Sequence, residues 1–311
     1  MTIRQAVAIG LLSLTPALTG CLHTRTVPKT HPPAVVLSAS LDQLLKQADD
    51  RYDAVRNMTL VIKLSTETGG SRKGEVTQYP DLKGYIVIGK DQNIQVYLIH
   101  YLYGNVMNMV SDGKTFKMLI RPKNCALVGS DQVTSTSQKG LYSLRPSALL
   151  DPLLIQGLKP NQLVSMTQDS RIITDPKKRK ELIDDPDYDL EFLSEPQGKV
   201  ARSQHVIHID RINLMPWRQD IYNAEGKVET SAEYYNYKKF GEIDFPTKIV
   251  IKRPLDELGL TITVTSATFN GELASDQFKL DIPATVTTTN MDDPASAVTS
   301  PCAAHAPQST N

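Results

Sequence analysis

Cys21 is the residue whose type and setting point most directly to chemistry. It follows Leu18, Thr19 and Gly20, and small residues there let a peptidase approach the bond before Cys21, whose thiol is a nucleophile that can be acylated. Other candidate groups are weaker. His205, His208 and Asp210 could be offered as a metal set, but strand residues an odd number apart point to opposite faces, and a metal site needs its ligands on one. They read as ordinary histidines, and no metal site is assigned. The chain has no Gly-x-Ser-x-Gly elbow, His-Glu-x-x-His pair, phosphate-binding glycine loop or Cys-x-x-Cys, so no catalytic residue is assigned and an enzyme is not expected. Cys125 follows Pro122-Lys123-Asn124 in a loop and Cys302 lies near the end. No bridge between them is expected, because pairing needs the two backbones held close.

The elements that position Cys21 are a short cationic start bearing Arg4 and an apolar run over 6–18, too short to span a bilayer permanently. Signal and box together resemble those of bacterial lipoproteins. The resemblance implies that residues 1–20 are a cleaved signal peptide and that Cys21 carries N-acyl and diacylglyceryl lipid, the only non-protein group expected. It also implies an outer-membrane location on the periplasmic side, since Leu22 is not the Asp that retains many such proteins on the inner membrane. Several acyl chains hold a soluble domain on a membrane stably, at about 0.8 kcal/mol per buried methylene.

The 311 residues carry zero formal net charge, with 40% hydrophobic and 22% charged side chains, an ordinary globular balance. No basic stripe supplies the electrostatic footprint of nucleic-acid binding. The basic run at 177–180 is followed by Glu181, Asp184, Asp185, Asp187 and Asp189, which cancel its field and make it a solvated loop. Residues 21–36, rich in Thr, Pro, His and Lys, read as a flexible tether. Residues 285–311, rich in Thr, Ser, Ala and Pro, read as a disordered tail. One domain fills 37–284.

That domain opens with a helix: Ser40 is an N-cap with Gln43 as its capping-box partner, and Leu41, Leu44, Leu45, Ala48, Tyr52 and Val55 share a face up to Asn57. Strand period follows over 58–66, 82–89, 94–103, 106–111 and 115–120, with Asp112-Gly113 as a type I′ hairpin signal. Further strands are read at 188–193, 203–211, 218–223, 229–237, 248–252, 260–269 and 278–282. Such regular spacing means an antiparallel sheet, closed or nearly closed to hide its edges. Both faces of 94–103 are apolar, so this part must be covered on both sides. Cover is expected from a second helical stretch holding Ala148, Leu149, Leu150, Leu153, Leu154, Ile155 and Leu158, with a break and restart at Asp151-Pro152. The two apolar helices would form a lid.

The Tyr52-x-x-Val55 helix end, the Ser111-to-Lys114 hairpin, the apolar helical insertion, Asp210-Arg211, the turn Tyr222-Asn223-Ala224-Glu225-Gly226, Phe245-Pro246 and Phe278-Lys279-Leu280 together resemble the outer-membrane lipoprotein-carrier (LolA/LolB-like) superfamily. The resemblance covers about 41–283. It implies a mainly β (α+β) fold, a half-open antiparallel barrel capped by two or more short helices around an apolar cavity. It also implies that the cavity receives acyl chains of lipids or lipoproteins, with Leu41, Leu44, Leu45, Leu150 and Leu154 as lid residues, for transport or insertion at the outer membrane. The expected partners are membrane lipid through Cys21 and an acyl-chain or lipoprotein cargo. The alternative is a non-catalytic protein-binding or scaffold lipoprotein of the envelope.

Overall fold

The computed structural model describes residues 27, 29–89, 91–131, 145–175, 178, 181–293 and 302. Residues 18–21, most of the basic run at 177–180 and most of the chain after 293 lie outside the described residues.

Ser40 caps helix α1 (Leu41–Asp53): its Oγ accepts from the Gln43 N–H at 3.3 Å and its own N–H donates to Gln43 Oε1 at 2.9 Å. This reciprocal pair satisfies two otherwise orphaned donors and sets the start of the helix. The helix stops short of Asn57, which already pairs with Gly89 in the sheet, while Asn270 Oδ1 accepts from the Arg56 N–H at 2.7 Å. Among the described residues, no helix is long and apolar enough to cross a membrane.

Sixteen strands form one sheet. They are β1 (Thr30–His31), β2 (Asn57–Gly70), β3 (Glu75–Gln78), β4 (Leu82–Gly89), β5 (Ile94–His100), β6 (Gly104–Ser111), β7 (Thr115–Ile120) and β8 (Cys125–Ser130). After the second helix, α2 (Ser147–Leu153), come β9 (Leu163–Thr174), β10 (Leu182–Leu193), β11 (Ser203–Asp210), β12 (Met215–Tyr222), β13 (Val228–Phe240), β14 (Ile243–Arg253), β15 (Leu258–Phe269) and β16 (Thr287–Asn290). The order β1-β10-β11-β12-β13-β14-β15-β2-β4-β5-β6-β7-β8-β16, with β3 on β2 and β9 on β10, runs between two free ends. The sheet is therefore curled but unclosed.

Its inner face follows from register. Leu190, Ile207, Gln219, Ala232, Ile251, Leu260 and Thr66 stand opposite one another across seven strands, and every one is buried. Alternation by two puts their sequence neighbours outside. Helix α2 packs Ala148, Leu149, Leu150 and Leu153 onto this face beside Met58, Leu60 and Met118, while α1 packs Leu44 onto Tyr188, Leu190, Phe192, Ile207 and Ile209. Each buried side chain of this size stabilises by roughly 1.5–3 kcal/mol.

The structure corrects four readings. Both helices lie inside, so the outer face of β6–β8 is not covered by a helix but by Leu280, Ile282 and Val286, which pack on Val110, Leu119 and Ala126 from irregular chain in place of the strand expected over 278–282. Helix α2 has no break and restart at Asp151-Pro152: Pro152, which lacks only its own N–H, sits inside the helix, which ends at Leu153 with the Leu154 N–H donating to the Leu150 carbonyl at 2.9 Å. The hairpin turn is centred on Gly113-Lys114: the Asp112 N–H donates to the Thr115 carbonyl at 3.2 Å and only Gly113 has positive φ, +81°, the type II′ requirement and not type I′.

The fourth correction concerns both chain ends. The 285–311 segment is not wholly a tail: β16 adds in parallel to β8, Met291 is buried, and Cys302 forms a disulfide with Cys125. Thr287-Thr288-Thr289 is β-branched and joins a free edge by backbone hydrogen bonds, a stabilisation that apolar content does not report. At the other end β1, inside the 21–36 tether, pairs with Leu182 and Ile183 of β10.

Candidate functional site

A cavity of about 250 Å³ lies between the C-terminal half of α1, the chain just after α2, and β11–β14. It exists because α2 ends at Leu153, leaving part of the inner face without a helix above it. Val55, Met58, Leu154, Ile207, Ile209 and Phe245 make its walls apolar. Its polar groups are few: Arg51, Tyr234 and Tyr237, with Asp50, Glu242 and Asp244 also in the lining. Concave apolar space with sparse, placed polar groups is the ordinary form of a small-ligand site, although 250 Å³ is slightly below the usual ~300–1,000 Å³.

The two tyrosines are already satisfied. Tyr234, fully enclosed, donates to the Pro152 carbonyl at 2.9 Å, with Gln219 Oε1 at 3.0 Å, and so ties the end of α2 to the sheet. Tyr237 donates to the Pro216 carbonyl at 2.8 Å. Burial pushes both phenols up in pKa and keeps them neutral. Arg51, in the last turn of α1, donates from Nη2 to the Leu214 carbonyl at 2.9 Å and to Met215 Sδ at 3.1 Å.

Of the five lid candidates, Leu154 alone lines the cavity. Leu44 is buried against β10 and β11 with Leu41 and Leu45 beside it, and Leu150 is buried in the main core. These four pack the helices onto the sheet and do not line the cavity. Arg51, Tyr234 and Tyr237 were not legible as site residues, since a basic residue in a last helical turn and tyrosines in a strand are commonplace.

The histidines do lie on opposite faces. His205 stacks on Phe192 with ring centroids 4.2 Å apart, and burial, helped by Lys159, lowers its pKa to about 4, so it is neutral. His208 faces outward. Burial would lower its pKa, but hydrogen bonds with Asp189 at 2.6 Å and Asp220 at 3.4 Å outweigh that and push it up to about 9. Around it, Trp217 Nε1 donates to Asp187 Oδ2 at 3.0 Å, and Arg171 stacks 3.8 Å over the Trp217 ring while pairing with Asp185 and Asp210. Asp187, Asp189 and His208 bring donor atoms within 4.8 Å of one another. With Arg171 and Arg218 these groups form an ion network joining β9–β12.

A second exposed feature stands at the tip of the β5–β6 hairpin. The strand read over 94–103 ends at His100, and Tyr101, Leu102 and Tyr103 project with 83%, 65% and 75% of their surfaces exposed. Gly104, with φ +67°, turns the chain there.

No family model and no curated protein matches the chain. Solved structures do. A DUF1329 family protein from Desulfovibrio piger aligns at 16% identity over 76% of this chain and 94% of its own, with a TM-score of 0.51. That fold is shared. A LolA superfamily protein from Nitrosomonas europaea aligns at 10% identity over 78% of this chain and 99% of its own, TM-score 0.48. A candidate outer membrane lipoprotein-sorting domain from Vibrio parahaemolyticus aligns at 8% identity over 76% and 94%, TM-score 0.46.

Proposed function

We propose that this chain is a lipid-anchored lipoprotein facing the periplasm from the outer membrane, and that it binds an acyl chain of a lipid or lipoprotein in the cavity beneath its two helices. The observation that carries the reading is the apolar cavity itself. Removing acyl surface from water at roughly 25 cal/mol per Å² drives uptake without any catalytic group. A space of about 250 Å³ is too small for the several acyl chains of a mature lipoprotein, so those chains would stay largely outside or the lid would open. Cys21 supplies the anchor through its acylated thiol, and the chain after it lets the domain reach cargo.

Two measurements test this. In membrane fractionation, Cys21→Ala is expected to move the protein from the membrane to the soluble fraction with its circular dichroism unchanged; sedimentation with outer membrane after a high-salt wash would exclude the anchor. In titration with a fluorescent fatty acid, Leu154→Glu is expected to weaken uptake at least ten-fold, because a carboxylate in the wall must be desolvated, at a cost of several kcal/mol, or keep the cavity wet. Leu45→Glu, away from the wall, should act on stability more than on affinity. Equal binding by wild type and a folded Leu154→Glu variant would remove the cavity from the account.

A second reading, a non-catalytic protein-binding or scaffold lipoprotein, rests on the exposed Tyr101-Leu102-Tyr103 tip. Clustered exposed apolar side chains mark contact surfaces. Wild type that binds no acyl probe would favour it.

A further inference from the structure

The charge inside the cavity wall narrows the ligand class, on the reading that the cavity takes an acyl chain. Arg51 is partly buried against apolar walls, and burial lowers its pKa although Tyr237 and Asp244 oppose that. Cations in such surroundings are ordinarily paired. Arg51 is not: it forms no ion pair with a carboxylate among the described residues, and its hydrogen-bond partners there, the Leu214 carbonyl and Met215 Sδ, are both neutral and both engaged by Nη2. Nε and Nη1 make no hydrogen bond among the described residues, and neither is a sealed, orphaned donor. The carboxylates in the same lining are largely occupied elsewhere: Asp50 pairs with Lys46 at 2.7 Å and Asp244 with Lys239 at 3.8 Å, while Glu242 is exposed.

We propose that Arg51 binds the anionic head of a single-chain amphiphile, a terminal carboxylate or phosphate, whose chain lies along Val55, Met58, Leu154 and Ile209. The guanidinium, held in place through Nη2 by Leu214 and Met215, keeps Nε and Nη1 as charged N–H donors, either of which can donate to such an anion. A volume of about 250 Å³ is too small for three chains, so a free fatty acid or a lysophospholipid suits it better than a triacylated protein.

The test uses the full chain with Cys21→Ala, titrated calorimetrically at pH 7.5 with dodecanoate, dodecyl phosphate and dodecanol. Wild-type Arg51 should bind at least one of the anions about ten-fold tighter than the alcohol, the worth of one charge-assisted hydrogen bond. Which anion leads separates fatty acid from phosphate-headed lipid. Arg51→Met should bring anion and alcohol to parity while leaving alcohol affinity within about two-fold, and Arg51→Lys should keep part of the preference. Wild type that binds anion and alcohol equally, or an Arg51→Met variant that keeps the preference, overturns the role of Arg51 and leaves the cavity reading standing. Binding of none of the three overturns both. Because the wild-type comparison needs no variant, the proposal stays testable even if Arg51→Met does not fold.

Discussion

Replacing Cys125 and Cys302 together by Ala is expected to lower the stability of the folded chain by about 3–5 kcal/mol. The bridge spans 177 residues, and in the chain-entropy account a loop of that length restricts the unfolded chain by about 5 kcal/mol, an upper bound because cross-linked unfolded chains retain structure. Both cysteines are fully buried, so the native state also loses packing, which the small Ala side chain only partly replaces. The loss should be concentrated where the bridge acts. β16 is held to the edge of β8 by parallel pairing, by the Met291 N–H donating to the Val128 carbonyl at 2.7 Å, and by Asp292, which lies 3.7 Å from Arg145. Without the bridge this short strand should detach first, leaving the β8 edge open. Urea unfolding of the double variant, with limited proteolysis read for new cleavage around 287–293, measures both effects. An unchanged midpoint would show that the bridge does not constrain the unfolded chain as argued.

Stability should also fall as pH rises towards 9, through His208. Its folded pKa of about 9 lies above the ordinary ~6.5 of an unfolded histidine, so folding takes up a proton between those values. The contribution is fully present below about pH 6.5 and is lost as pH rises through about 9. That difference corresponds to about 3 kcal/mol at His208, whose side chain is only 17% exposed. The groups facing it are Asp189, Asp220, the Asp187–Trp217 pair and Arg218, which itself pairs with Asp220 at 2.9 Å. The buried tyrosines Tyr234 and Tyr237 have raised pKa values and begin to matter only near the ordinary phenol value of about 10. Unfolding free energies measured from pH 6 to 9.5 should therefore decline for wild type and stay nearly flat for His208→Gln. Parallel profiles would mean that the proton is not taken up at His208.

Local order was largely legible because it depends on near neighbours along the chain. Ser40 and Gln43 start α1 by hydrogen bonds three residues apart, and Met58, Leu60, Ile62 and Leu64 take the buried face of β2 that their alternation implies. Strand β4 begins and ends where its composition says, at Leu82 and Gly89. The opposite facing of His205 and His208 follows from the same period of two. The Gly113 turn was located correctly but one residue out in its centre, because turn type depends on which backbone groups meet across the hairpin.

What the sequence determined by itself was therefore the class of structure: a capped helix, a long antiparallel series of strands and an apolar second helix. Tertiary structure alone decided which parts meet across long separations. It put both helices inside the curl, brought Leu280 and Ile282 round to cover the outer face of β6–β8, and joined Cys302 to Cys125 across 177 residues. It also placed Arg51 of α1 beside the β11–β12 turn, with no ion pair to a carboxylate among the described residues. The reason is physical: periodicity and capping act over a few residues, whereas the position of a cavity, a bridge or an unpaired charge depends on how a curved sheet closes its distant rows onto the same face.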